Sequence, residues 1–200
     1  MSIRITGGEF RGRLLDVPQK GVRPTQDRVR AALFSSLQAV IPGARVLDLF
    51  AGTGAFGLEA VSRGAAFVCF VENDRKALSC LAKNVERLLG NPAGAGGEDG
   101  RNWRIAGSDV EDFLKANPAQ APYDIVFADP PYDTSEEWAK KILFHLSSEA
   151  IFCAKGRLIV ESGVKAPLIG AAGWRIEWNR SYGETRVCIY ERLGHISRNV

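Results

Sequence analysis

The tetrapeptide Asp129-Pro130-Pro131-Tyr132 combines residue types that suit chemistry at a planar amine. The lone pair of such an amine is delocalised into its ring, so the nitrogen reacts poorly until it is held and oriented. The Asp129 carboxylate and the Pro130 carbonyl can each accept one N–H, and the prolines stiffen the turn and remove competing backbone donors. Tyr132 offers an aromatic face on which a splayed-out base can stack, worth ~1–3 kcal/mol. We therefore predict that these four residues form a catalytic loop.

A second candidate is the glycine-rich segment from Asp48 to Gly57, which joins an apolar run to a helical stretch. Glycines let the backbone approach a ligand, and the amides that begin the next helix can point at it. The spacing of Gly52, Gly54 and Gly57 also fits a dinucleotide site, with Glu72 about 20 residues on to hold ribose hydroxyls. The segment alone leaves open a nicotinamide-dependent oxidoreductase and an enzyme that uses S-adenosylmethionine.

Two acidic positions favour S-adenosylmethionine. Asp48 precedes the glycine turn, where a carboxylate can serve a cationic amino-acid moiety but would repel a pyrophosphate. Ser108-Asp109 follows a later apolar run and places an acceptor where an adenine amino group would lie, although Asp109 could equally cap a helix. The predicted cofactor site shares Asp129 with the catalytic loop. It comprises Asp48, Phe50, Ala51, Gly52, Thr53, Gly54, Glu72, Asn73, Ser108, Asp109 and Asp129.

These motifs require parallel strands whose carboxyl ends meet at one edge of a sheet. From residue 44 onward, apolar runs alternate with helical stretches, which predicts βα units and an α/β fold. Predicted strands span Arg45–Leu49, Phe67–Glu72, Trp103–Ala106, Ile125–Ala128 and Arg157–Glu161, followed by an antiparallel pair at Trp174–Asn179 and Thr185–Glu191. Predicted helices span Ala55–Ser62, Arg75–Leu88, Val110–Lys115 and Glu136–Leu146, and Gly90–Gly100 is predicted to be a surface loop.

The beginning of the chain predicts a small basic hairpin and a helix. Residues 2–17 suggest two short strands joined by a Gly7-Gly8 turn, and Thr25 is a cap for a helix that extends to about Val40. The first thirty residues carry a net charge of +4, whereas the whole chain carries +3. A positive potential confined to one end indicates a docking surface for a polyanion. We predict a hairpin extension at 1–22 and a main domain at 23–200.

Composition also excludes several classes of function. The four cysteines show no C-x-x-C spacing and the two histidines lack partners at ligand spacing, so no metal site and no disulfide are predicted. No apolar run approaches the ~20 residues that span a bilayer, and no export signal is visible at the N-terminus. We predict a cytoplasmic protein.

The runs Arg4 to Arg13 (RITGGEFRGR) and Arg23 to Arg30 (RPTQDRVR), with the tetrapeptide, resemble the bacterial 16S ribosomal RNA guanine-N2 methyltransferases of the RsmD type. The resemblance covers nearly the whole chain. It implies a Rossmann-like class I methyltransferase fold with a seven-stranded, mainly parallel sheet, S-adenosylmethionine as the methyl donor, and the assembled small ribosomal subunit as substrate. It also implies RNA contacts from Arg4, Arg11, Arg13, Arg23, Arg28 and Tyr132. We also predict a monomer.

The chemistry leaves other amines open as substrates, because the same loop geometry serves any planar nitrogen. DNA adenine N6 and protein glutamine are the alternatives, although protein-glutamine enzymes prefer Asn where this chain has Asp129. A non-catalytic RNA-binding module would leave the intact loop from Asp129 to Tyr132 unexplained.

Overall fold

Seven strands form one sheet at the centre of the chain, as the alternating pattern predicts. The computed structural model describes residues 3–17, 25–90, 102–116, 118 and 120–193, apart from the side chains of 25–28. In chain order the elements are β1 (Ile3–Arg4), β2 (Leu14–Leu15), α1 (Thr25–Ser36), β3 (Arg45–Leu49), α2 (Ala55–Ser62), β4 (Phe67–Glu72), α3 (Arg75–Leu89), β5 (Trp103–Gly107), α4 (Val110–Lys115), β6 (Tyr123–Ala128), α5 (Ser135–His145), β7 (Phe152–Gly163), β8 (Trp174–Tyr182) and β9 (Thr185–Arg192).

The order of the strands places a crevice at the middle of the sheet. The order is β5-β4-β3-β6-β7-β9-β8, in which β3 to β7 are parallel and β9 runs antiparallel between β7 and β8. The chain builds outward from β3 through β4 to β5 and then returns to place β6 on the other side of β3. Ligands bind at such a switch point, outside the carboxyl ends of the strands. The catalytic-loop and glycine-turn candidates follow β6 and β3, so the topology brings both to this crevice.

Helices cover both faces of the sheet, which explains why the central strands are apolar on both sides. One face packs against α1, α2 and α3, with Leu33, Phe56 and Leu81 among the buried residues. The other face packs against α4 and α5, with Phe113 and Ile142 buried. The helix predicted to reach Val40 ends at Ser36, because Val40 N–H bonds to the Leu37 carbonyl in a tighter turn.

The predicted Gly7-Gly8 turn of the hairpin is wrong. β1 and β2 pair through two residues each, and the Gly12 N–H donates to the Ile5 carbonyl, so the loop that joins the strands spans residues 6–11. The glycines serve another purpose. A Cβ on Gly8 would overlap the Ser62 carbonyl at the end of α2, and Ser62 Oγ donates to the Gly7 carbonyl at 2.7 Å. Glycine is present here because the hairpin lies directly against α2.

A buried carboxylate in α2 also anchors the hairpin. Glu59 is fully buried, and its oxygens accept hydrogen bonds at 2.7 Å from the backbone and the hydroxyl of Thr6. Its charge is balanced by ion pairs with Arg63 at 2.8 Å and Arg30 at 3.6 Å. Arg30 further donates to the Arg4 carbonyl at 2.6 Å. The hairpin is therefore bound to the same helices that cover the sheet.

Replacing each of two hairpin glycines, Gly8 and Gly12, measures the effect of close packing apart from the effect of backbone conformation. Gly8 and Gly12 have φ angles of 75° and 88°, but no atom of the described residues lies within 4 Å of a Cβ built on Gly12. Gly12→Ala should cost ~1–2 kcal/mol in free energy of unfolding, from the left-handed conformation alone. Gly8→Ala should cost ~2–5 kcal/mol, because overlap with the Ser62 carbonyl adds to that strain. Urea unfolding of both variants measures the difference, and equal losses would show that the hairpin does not rest on α2.

Candidate active site

The glycine turn between β3 and α2 has a backbone that only a few residue types adopt. Phe50, Gly52 and Gly54 have φ angles of 58°, 56° and 80°, in the left-handed region that disfavours side chains. Of these three residues only Phe50 has a side chain, and its ring packs edge-on against the ring of Trp138, with 5.0 Å between the ring centroids. Among the described residues, the only atom within 4 Å of a Cβ built on Gly52 is the Phe50 carbonyl oxygen, at 3.9 Å. At Gly52 the turn therefore presents backbone to open space, which suits close approach of a ligand, whereas a Cβ on Gly54 would meet the Leu81 side chain at 2.5 Å.

Asp48 lies beneath this turn and is buried. Its carboxylate accepts the Gly57 N–H at 2.9 Å, which fixes the start of α2 relative to β3. Burial raises the pKa of Asp48 well above its ordinary value; the Gly57 hydrogen bond opposes the rise, and the negative charges of Asp129 and Glu72 add to it. Asp48 thus supports the turn from below, and its contact with a cationic group stays a prediction.

Glu72, at the carboxyl end of β4, reaches back to the glycine turn. Its carboxylate accepts N–H groups of Gly52 at 2.8 Å, Asn73 at 2.9 Å and Asp74 at 2.8 Å. Carboxylate oxygens that accept backbone N–H groups here can also accept hydroxyl groups of a ligand. The structure thus brings Glu72, Asn73 and Gly52 together, and the remaining turn residues Ala51 and Thr53 lie beside them.

Ser108 and Asp109 follow β5 at the same edge of the sheet. The Ser108 N–H donates to the backbone carbonyl of Glu72 at 3.1 Å, so Ser108 and Asp109 lie next to Glu72, the residue predicted to hold ribose hydroxyls. Asp109 caps α4, because its carboxylate accepts the backbone N–H groups of Glu111 at 2.8 Å and Asp112 at 3.3 Å. Of the two readings that the sequence left open for Asp109, the structure shows the helix cap, which is compatible with a further contact to a ligand.

The loop from Asp129 to Tyr132 extends from β6 into α5 beside this turn. Burial raises the pKa of the Asp129 carboxyl to about 6, so its ionised form is less stable than in water. Pro130 is buried and Pro131 is exposed. The turn is closed by hydrogen bonds from Thr134 N–H to the Pro131 carbonyl at 3.1 Å and from Ser135 Oγ to the Tyr132 carbonyl at 3.0 Å.

Tyr132 stands at the edge of an open cleft. Its hydroxyl is hydrogen-bonded to Thr185 Oγ1 at 2.7 Å, while 45% of its surface remains exposed. The cleft has a volume of about 470 Å³ and is large enough for a nucleobase with part of its backbone. Residues of the α5 start, the β7 end and the β8–β9 turn line it: Tyr132, Asp133, Ser135, Glu136, Gly163, Val164, Lys165, Ala166, Pro167 and Glu184.

Sequence reasoning missed one charged residue at this edge, Glu161. Glu161 follows Val160 in β7, and Val160 pairs with Ala128, so Glu161 lies next to Asp129. Burial raises the pKa of Glu161 to about 8, the charge of Asp129 adds to the rise, and the Arg30 guanidinium opposes it. An acid at the end of an apolar strand was a visible signal, but its meaning depends on β7 lying beside β6, which the sequence does not state.

The five arginines predicted to contact RNA fall in two groups. Arg4, Arg11 and Arg13 are exposed on the hairpin. Arg23 and the side chain of Arg28 lie outside the described residues, as does most of the predicted loop Gly90–Gly100.

Within the described residues, no group of His, Cys, Asp and Glu could hold a metal ion, and no helix is long and apolar enough to cross a membrane.

Comparison with known proteins gives consistent matches over most of the chain. The family described as conserved hypothetical protein 95 matches residues 3–191. The chain is similar to ribosomal RNA small subunit methyltransferase D of Escherichia coli strain K12, with 38% identity over 95% of this chain and 90% of that protein. It is 33% identical to the protein of the same name from Haemophilus influenzae, over 94% of this chain and 93% of that protein. The solved structure of the yhhF protein from Escherichia coli has a TM-score of 0.80 and 38% identity, covering 96% of this chain and 98% of that chain.

Proposed function

Because the chain belongs to the conserved hypothetical protein 95 family, that of ribosomal RNA small subunit methyltransferase D, we propose that it methylates the exocyclic N2 amine of a guanine in 16S ribosomal RNA, with S-adenosylmethionine as donor. The single observation that carries the proposal is the position of the loop Asp129 to Tyr132. It lies at the switch point of the sheet, next to the glycine turn, and has an exposed tyrosine at its end.

The groups around the glycine turn suit this donor. Acidic side chains lie at or near the carboxyl ends of three adjacent strands, with Asp48 in β3, Glu72 in β4 and Asp129 after β6, and the charges of Asp129 and Glu72 both raise the pKa of Asp48. Such a site attracts a cation and repels a pyrophosphate, which disfavours a nicotinamide cofactor. S-adenosylmethionine would supply an electrophilic methyl group on a cationic sulfur. Glu72 would hold its ribose, the turn around Gly52 its amino-acid part, and Ser108 with Asp109 its adenine.

Asp129 and Pro130 act on the substrate amine. The Asp129 carboxylate and the Pro130 carbonyl accept its two N–H groups, which holds the nitrogen with its lone pair facing the donor. When the nitrogen forms its new bond to carbon it must lose one proton, and Asp129 is the acceptor in place. The raised pKa of Asp129, about 6, makes it a better base than an ordinary aspartate. Tyr132 would stack on the base beside the open cleft.

The substrate is a large polyanion in this proposal. The exposed Arg4, Arg11 and Arg13 lie on the hairpin that α2 holds in place, so their charges have a fixed position relative to the glycine turn. We extend the proposal to the hairpin at 1–22 as an RNA-contacting extension of a monomeric cytoplasmic enzyme, and to the assembled small subunit as its substrate.

Methyl transfer to ribosomal subunits tests the proposed function. Small subunits from a strain that lacks the activity should take up labelled methyl groups, and digestion should yield the label in N2-methylguanosine. Free 16S RNA and duplex DNA serve as comparison substrates. Label in N6-methyladenine or in protein glutamine would replace the guanine assignment, and absence of label with every substrate would contradict methyl transfer.

Glu72→Ala should weaken binding of S-adenosylhomocysteine by ~10–100-fold, because a hydrogen bond to a charged group contributes ~1.5–3 kcal/mol. Asp74→Ala is the matched control. Asp74 lies two residues further on and caps α3 through Lys76 and Ala77, so its loss should lower stability by ~1 kcal/mol without weakening binding. Calorimetric titration measures both variants, and equal affinities for the two would contradict the role of Glu72.

Replacing Arg11 and Arg13 together with Ala should weaken RNA binding and reduce its salt dependence. The slope of log affinity against log salt should fall by roughly one to two phosphate contacts, while affinity for S-adenosylhomocysteine stays the same. A double replacement of the exposed Lys140 and Lys155 removes equal charge elsewhere and should leave the slope intact. Filter binding at several salt concentrations measures the slope. A wild-type slope in the hairpin variant would show that the hairpin faces away from RNA.

A further inference from the structure

Two carboxyl groups stand side by side where β6 and β7 end. The strands are parallel neighbours, and Ala128 pairs with Val160. The next residues, Asp129 and Glu161, therefore lie side by side, with their backbones about 5 Å apart, which is the spacing of neighbouring strands. Because side chains alternate along a strand, both point to the face of the sheet that α1 covers. The two carboxyl groups are therefore within reach of each other.

The surroundings of this pair favour a single shared proton. Both side chains are half-buried, and no hydrogen bond from another described residue contributes to the pKa of either carboxyl. Burial raises the pKa of Asp129 to about 6, and burial together with the Asp129 charge raises that of Glu161 to about 8. Between these values the pair carries one proton and one negative charge, as expected of neighbouring carboxyls that cannot both ionise easily.

The charges that face Glu161 come from few elements. From α1, the buried Arg30 opposes the rise in pKa, and its guanidinium is held by the Arg4 carbonyl and by Glu59 of α2. From β6, Asp129 adds a negative charge. From β9, the residue paired with Glu161 is the apolar Val187. The Arg30 charge lowers the pKa of Glu161 but does not return it to its ordinary range, so the pair keeps one proton near neutral pH.

We propose that Glu161 is a positioning residue for Asp129, whose protonated carboxyl donates a hydrogen bond to one Asp129 oxygen and leaves the other oxygen to accept an N–H of the substrate amine. This inference rests on the proposed role of Asp129 in amine methylation. The hydrogen bond gives Asp129 a fixed orientation, since the described residues supply no other donor to it. It also limits the charge beside the amine to that of one carboxylate.

Titration of the ligand-free protein tests the inference without substrate or cofactor. Carboxyl ¹³C resonances should show a glutamate that titrates near pH 8 and disappears in Glu161→Gln. In Asp129→Asn the pKa of Glu161 should fall, because the neighbouring charge is gone. A Glu161 that is already ionised at pH 5, or one that titrates identically in Asp129→Asn, would overturn the inference. Failure of the proposed function would leave this titration unchanged, so the two outcomes are distinguishable.

Single-turnover rates against pH separate positioning from mere structural support. The wild-type rate should rise through about pH 6 as Asp129 ionises, and fall through about pH 8 as Glu161 loses the proton that it donates. Glu161→Gln should lose the alkaline fall, because an amide donates at every pH. Glu161→Ala should be ~10–100-fold slower than Glu161→Gln at pH 7, the range for one hydrogen bond to a charged group.

The control is Glu177→Ala, which removes an exposed carboxylate of β8 that pairs with Arg157 at 2.6 Å. Its pH profile should match wild type. Equal rates in Glu161→Ala and Glu161→Gln, or a Glu161→Gln profile that keeps the alkaline fall, would overturn the positioning role. Melting temperatures of all three variants identify any rate loss that comes from unfolding.

Discussion

The crowding of carboxyl groups at one edge of the sheet is the constraint on which the site depends. Parallel strands must end at the same edge, so Asp48, Glu72, Asp129 and Glu161 are brought together whatever their charges. The protein offsets this repulsion unequally. Asp48 accepts one backbone N–H, Glu72 accepts three, and Glu161 faces Arg30. For Asp129 the described residues offer no donor other than the proposed one, Glu161, and Asp129 is the carboxyl group that the proposed mechanism assigns to the substrate.

The remaining structure holds this edge and the basic hairpin in one frame. Asn84 of α3 is fully buried, and its amide donates to the carbonyls of Thr53 in the glycine turn and Asp16 in the hairpin, at 3.0 and 2.9 Å. In α2, Glu59 and Ser62 bind the other end of the hairpin. The hairpin proposed to contact RNA and the proposed donor site are thereby fixed relative to each other. This arrangement suits an enzyme that must reach one base in a large RNA.

Local patterns predicted the strands and helices well, because each depends on residues that are near one another in sequence. The strand Phe67–Glu72 and the helix Ala55–Ser62 have the predicted bounds, since apolar runs and helical periodicity are read directly from the chain. Features that depend on packing between distant segments were not predictable. Gly7 and Gly8 look like a turn but are needed against Ser62, and Glu161 gains its meaning only from its neighbour Asp129 in the next strand.

The central claim is that Asp129 orients the substrate amine, and the most direct test is the single-turnover rate of Asp129→Ala measured with cofactor affinity and melting temperature. The account predicts a rate ~10²–10³-fold below wild type, as for loss of one preorganised polar group, with nearly unchanged affinity for S-adenosylhomocysteine and no loss of stability. Asp129→Asn should be milder, because an amide oxygen still accepts an N–H. A folded Asp129→Ala protein that binds the cofactor and turns over at the wild-type rate would contradict the account.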